Sequence, residues 1–339
     1  MVVTGANRPR RWFLATKVIL AVCALWYLVS MGAVDWTKLQ SLKTYPAAVG
    51  GVIAICLLMY VISIARWRLL LSCQDIHLTV RDASEATLFS LFLNSILPGG
   101  GFGGDTYRVA YVARRFPVRR AAGVLSVFID RGLGFYALVS VAALVVLSRV
   151  ALFAADPVLM SLAAFTWFLL VAGAASVGLA VVYIGATDAS MSAGCTIGRF
   201  RRLVTSVCQA TVLYLQSPMK MVAAFGLSLV IQCLAILSVV ILGFAMGFVH
   251  LSVSDYVFAA PWGWIANLFP LTLGGIGVGE AAFEKVCHLL NAEDVTVGYA
   301  TIFLAYRMLA TGATLPGLIF WLLSDKSWNV FTNPCEATE

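Results

Sequence analysis

Six stretches of this chain stay apolar long enough to cross a bilayer, and nothing else in it constrains the fold so strongly. They run Trp12 to Met31, Tyr45 to Ala65, Ala121 to Leu147, Val158 to Ile184, Met219 to Phe248 and Val295 to Leu323, each near or above the roughly 20 residues that a hydrocarbon core demands of a helix. Of the 339 residues, 61% are hydrophobic and 12% charged, and the mean hydropathy is +0.93. A soluble domain carries about a quarter charged residues, so no soluble fold hides this much apolar surface. The first stretch is followed by further spans and reads as an anchor, not as a cleaved signal peptide. Peptide groups in lipid must be satisfied within their own segment, and no stretch alternates with the period of two that a barrel strand shows. The predicted fold is an all-α polytopic membrane protein with about six full crossings in a single domain over residues 1–339.

Two further apolar stretches, Ala86 to Ala113 and Val257 to Leu290, are interrupted by Pro and clustered Gly and cannot be continuous helices. The basic residues say what they do instead, because Lys and Arg beside a span stay cytoplasmic. Arg8, Arg10, Arg11 and Lys17 put the N-terminus inside. Arg66 with Arg68, the group Arg114, Arg115, Arg119 and Arg120, the group Arg199, Arg201 and Arg202, and Lys326 after the last span all ask to be inside as well. Both flanks of 86–113 are then cytoplasmic, so that stretch enters the membrane and turns back. By the same count the fifth span ends outside near His250 and the sixth starts outside near Asp294, so 257–290 turns back from the opposite face. The acidic group Glu284, Glu293 and Asp294, with Lys285 alone for positive charge, suits that side. Two re-entrant hairpins of opposite sense are the trace of an inverted repeat, in which interrupted segments mark a binding site. The bland reading, that Gly and Pro merely permit close helix packing in membranes, leaves the charge count unexplained. The basic stretch Arg199 to Gln216 reads as a surface helix on anionic lipid.

The breaks share an order of residues. The first reads Asn94-Ser-Ile-Leu-Pro98-Gly99-Gly100-Gly101-Phe-Gly103-Gly104-Asp105-Thr-Tyr-Arg108, and the second Asn267-Leu-Phe-Pro270-Leu-Thr-Leu-Gly274-Gly275-Ile-Gly277-Val-Gly279-Glu280. Pro and Gly end one half-helix, and the amides that open the next carry a partial positive charge into the protein, a cradle in form for phosphate or carboxylate. There is no GK[ST] and no strand context, so this is neither a Walker loop nor a dinucleotide fingerprint. At membrane depth stand Asp105, Arg108, Asp130, Arg131, Glu280 and Arg307, each costly unless paired or wetted and each a substrate-binding candidate by default. Arg108, Arg131 and Arg307 would hold a phosphate, since Arg grips it bidentately. Asp105, Asp130 and Glu280 would balance them, hold a cationic head group or exchange a proton. The same charges also fit internal ion pairs that brace the hairpins. Asn94 and Asn267 line the site or cap the broken helices. Eight scattered cysteines without a CxxC pair, and His77, His250 and His288 far apart, indicate no disulfide framework, no metal, no cofactor and no catalytic histidine.

At these two segments the chain resembles the lysylphosphatidylglycerol synthase transmembrane-region family, the flippase domain of the multiple peptide resistance factor. The resemblance rests on Asn94, Pro98 to Asp105 with Arg108, Asp130-Arg131 and Pro270 to Glu280, and it covers nearly the whole chain. It implies a lipid flippase, not an enzyme, in the cell inner membrane with both termini cytoplasmic. Its substrate would be an anionic, aminoacylated or polyprenyl-phosphate-linked lipid. The soluble aminoacyltransferase domain of two-domain members is not expected here, since the chain ends at Glu339 soon after the sixth span. A nucleic acid partner is not expected; a homodimer or a partner lipid-modifying enzyme is compatible with the chain, though no GxxxG face stands apart from the hairpins to support the dimer. The rival readings are a membrane-embedded enzyme with Asp105 or Glu280 as general base, and a scaffold for a lipid-modification pathway whose charges are purely structural.

Overall fold

A computed structural model describes residues 26, 36–96, 103–188, 210–248, 250–268, 272, 276–290 and 298–322. Among them all regular structure is helical. The helices are α1 (Trp36–Ser41), α2 (Pro46–Ser72), α3 (Val80–Ile96), α4 (Asp105–Arg115), α5 (Arg120–Ser148), α6 (Val150–Ala155), α7 (Pro157–Asp188), α8 (Pro218–Ala245), α9 (Val253–Ala266), α10 (Val278–Leu290), α11 (Ala300–Ala313) and α12 (Leu315–Leu322).

Four of the expected spans are helices long and apolar enough to cross a membrane, in α2, α5, α7 and α8. Pro46, Pro157 and Pro218 open three of them, where the missing N–H costs nothing and φ is already helical. Asp156 caps α7 by accepting the N–H groups of Val158 and Leu159 at 2.7 and 3.0 Å. Along α7 the side chains of Met160, Phe168, Val171, Leu179 and Val182 are exposed, as befits a helix with a lipid-facing side.

The structure departs from expectation in three places. Helix α2 runs on past Ala65 to Ser72, because Arg66, read as a flanking charge, is buried inside the helix. The sixth span is two helices, α11 and α12, divided at Thr314. Pro316 has no N–H to give Gly312 and its ring crowds that carbonyl, so the chain tightens there, with Thr314 N–H on Thr311 O at 3.0 Å and Gly317 N–H on Thr314 O at 2.8 Å. The second interrupted stretch begins at Val253, four residues early, because Ser252 and Asp255 form a capping box. The first span, Trp12 to Met31, lies almost wholly outside the described residues, and Arg199 to Gln216 does so in large part.

The chain divides into two compact units. Unit one comprises Met1–Leu58, Leu88–Thr106 and Leu234–Ile319, so the described residues of the second break, and those of the first as far as Thr106, belong to it. Its core is aromatic: Phe283 stacks on Phe303 at 5.3 Å, and Trp264 and Phe248 meet Phe303 and Tyr299 at 5.8 and 5.7 Å. Unit two comprises Met59–Thr87, Tyr107–Cys233 and Phe320–Glu339, and its fully buried side chains include Trp67, Leu70, Leu71, Ile76, Val112 and Leu159.

Candidate functional site

Each unit carries its own buried charge. In unit two Asp130 of α5 is 1% exposed and takes two guanidiniums. Arg66 Nε of α2 donates to Oδ1 at 2.8 Å, and Arg108 Nη1 of α4 donates to Oδ2 at 3.0 Å. Arg66 Nη1 also donates to Ser228 Oγ of α8 at 2.8 Å. The Arg108 guanidinium lies over the Trp67 ring, 4.1 Å from its centroid, and Trp67 Nε1 is held by Ser126 Oγ at 3.2 Å. One carboxylate thereby ties α2, α4 and α5 together, and the stacked arginine is restrained from its face as well as its edge. Arg131 follows Asp130 on the helix, turned about 100° from it, and is half-buried.

Unit one holds the breaks. In the first, Asn94 Oδ1 at the end of α3 accepts the Gly104 N–H at 2.6 Å, and Gly104 sits so close to α3 that a Cβ would overlap the backbone of Ser90 and Asn94. Asp105, which opens α4, accepts Ser90 Oγ at 3.2 Å and is buried. In the second, Asn267 caps the end of α9, and its carboxamide lies where a Cβ on Gly279 would be. Glu280, which follows, is completely buried. Its Oε2 accepts the Gly277 N–H at 2.8 Å, and Arg307 Nε of α11 is 3.1 Å from Oε1 in an ion pair. Gly277 has φ +88°, a left-handed conformation that glycine alone adopts cheaply, and it brings its own N–H round to the carboxylate at the third helical position.

The two breaks therefore match in geometry as well as in residue order. An Asn that ends the first half-helix is seated on the Gly immediately before the carboxylate of the second. Among the described residues each Asn keeps one buried polar atom without a hydrogen-bond partner, Nδ2 in Asn94 and Oδ1 in Asn267, and the hydroxyl of buried Thr272 within the second break likewise has none there. Pro98, Gly99, Gly100, Gly101, Pro270, Gly274 and Gly275 lie outside the described residues, while Gly103 is described in the turn leading into α4.

Sequence reasoning missed Arg66, Ser228 and Trp67. The apolar run Leu69-Leu70-Leu71 beyond Arg66 was the available signal that the helix, and its arginine, continue inward.

Comparison with known proteins adds one finding. No curated protein and no solved structure matches the chain. The sequence model for the Lysylphosphatidylglycerol synthase TM region matches residues 14–317, which contain both breaks and both charge clusters, and by that match the chain belongs to the lysylphosphatidylglycerol synthase TM region family.

Proposed function

We propose that the chain is a lipid flippase, moving a phospholipid or a lipid-linked polar head group between leaflets, and that it catalyses no covalent step. The observation that carries this reading is the repeated break, with its seated Asn and its unpartnered buried polar atom in each copy. A buried polar group without a partner costs about 1–3 kcal/mol, and a polar head group received at the break would supply that partner. Family membership ties the chain to membrane-lipid function, and the four spanning helices make a multi-pass membrane protein of it.

In this reading the breaks belong to two re-entrant hairpins of an inverted repeat, set in the inner membrane with both termini cytoplasmic. The head group passes the breaks while the acyl chains stay in hydrocarbon. Asn94 and Asn267 read its hydrogen-bonding groups. Arg108 and Arg131 in unit two, and separately Arg307 in unit one, supply guanidiniums suited to a phosphate, the group that Arg grips bidentately. Asp105, Asp130 and Glu280 hold those helices and arginines in register.

The test is leaflet exchange of dithionite-quenchable lipids in liposomes containing the purified chain, with phosphatidylglycerol, aminoacylated phosphatidylglycerol and a polyprenyl-phosphate lipid as probes. Asn94→Ala and Arg307→Lys should each slow exchange of the preferred lipid at least tenfold without loss of folded protein. Wild-type chain that exchanges none of the probes would sink the proposal and favour an enzyme or a scaffold.

A further inference from the structure

Away from the breaks, α10 carries an acid–base pair that the flippase reading does not use. Glu284 Oε1 lies 2.8 Å from His288 Nε2, one turn along the helix, and the side chains are 13% and 22% exposed. The other carboxylate oxygen accepts the N–H of Ala300, the first residue of α11. The imidazole edge rests on the ring of Tyr299 at 5.2 Å, and Tyr299 is fully buried. His288 Nδ1 is buried and has no hydrogen-bond partner among the described residues.

In the neutral form of the ring, with Glu284 ionised, Nε2 carries the hydrogen donated to Glu284 and Nδ1 holds a lone pair. We propose that the Glu284–His288 pair is the proton-binding site that drives the transport cycle, an inference that rests on the flippase reading above. A proton from water adds to the Nδ1 lone pair and gives the imidazolium. No other bond forms or breaks, and the contact through Nε2 becomes a full ion pair.

The new Nδ1–H is a buried donor with no acceptor among the described residues, a costly state that is relieved when the ring turns toward water. That turn pulls on Glu284, and through it on the N–H of Ala300, so α10 and α11 loosen from one another. Since α11 carries Arg307 and α10 carries Glu280, the proton acts on the ion pair at the second break through the same two helices.

On α10 itself stand exposed Lys285 and buried Cys287, which feels both Glu284 and Asp255. From α9 come Asp255, held in its capping box, and Tyr256. Tyr299 faces the pair from the start of α11, and Lys38 of α1 sits over Phe248, whose ring meets Tyr299.

A purely structural pair, in which Glu284 only caps α11, makes a different prediction, because Gln at 284 keeps an oxygen for Ala300 and Gln at 288 keeps a donor for Glu284. The experiment uses the full chain in two preparations. Nitrogen-15 spectra of histidine-labelled protein in detergent should show an imidazole signal that changes with pH and is lost in His288→Gln. In liposomes with head-group-labelled phosphatidylglycerol as probe, a pH gradient should speed wild-type exchange several-fold, while His288→Gln exchanges at one rate with or without the gradient. A spectrum in which the histidine lost in His288→Gln does not titrate, or a His288→Gln variant that keeps the full gradient response, overturns the proposal. Wild-type exchange that ignores the gradient overturns the coupling role alone, whereas absence of any exchange overturns the flippase reading and the coupling role with it.

Discussion

Asp130 holds two buried arginines in unit two, and its replacement is the most damaging single change there. Asp130→Asn leaves the guanidiniums of Arg66 and Arg108 in place without their counter-charge, a loss of about 3–5 kcal/mol for a buried pair broken on one side. Thermal unfolding in detergent should show a large fall in Tm, and Arg66→Met together with Asp130→Leu should recover part of it. The two seated glycines separate by what they touch. Gly104→Ala forces a methyl against the backbone of α3, whereas the nearest atoms that Gly279→Ala meets belong to the Asn267 side chain. Gly104→Ala should therefore give little folded protein on size exclusion, and Gly279→Ala a modest loss that Asn267→Ala relieves. The intramembrane charges were legible as residues, because an ionisable group inside an apolar run stands out. Their partners were not, since Arg66 and Asp130 are 64 positions apart and no local pattern announces a pair at that distance.

At the scale of elements, what was legible followed window length. An apolar stretch of about 20 residues dominates any average taken over it, which is why α2, α5, α7 and α8 lie where the runs lie. Features one or two residues long were lost in the same averaging: the division of the last span at Thr314 and the capping box that starts α9 early. The capping box has a measurable weight. Ser252→Ala removes the hydroxyl that accepts the Asp255 N–H, a change of about 1 kcal/mol, and amide exchange should quicken at Val253 to Tyr256 while Tm moves by only a few degrees. The breaks were legible as interruptions but not as seats, because the residue order Asn, Gly, carboxylate does not say that the Asn folds back onto the Gly.

For the whole molecule, orientation depends on which arginines are flanking charges. Val118 sits between Arg115 and Arg119 in the α4–α5 turn and is 97% exposed. A Val118→Cys variant should be labelled by a membrane-impermeant maleimide in inside-out vesicles and not in right-side-out ones; the reverse pattern would invert the proposed topology. Arg66 had been counted with the same flanking set, and the structure removes it, because it lies buried against Asp130 and Ser228. That burial has a consequence for synthesis. Arg66 of α2 leaves the ribosome 64 residues before Asp130 and 162 before Ser228, so during insertion it has neither partner and must reach for the interface with its long stem. A chain truncated before α5 should leave Arg66→Cys open to maleimide, and the full-length chain should protect it. The second span is thus inserted provisionally and drawn into its final depth by helices not yet made, which makes a late span the step that completes an early one.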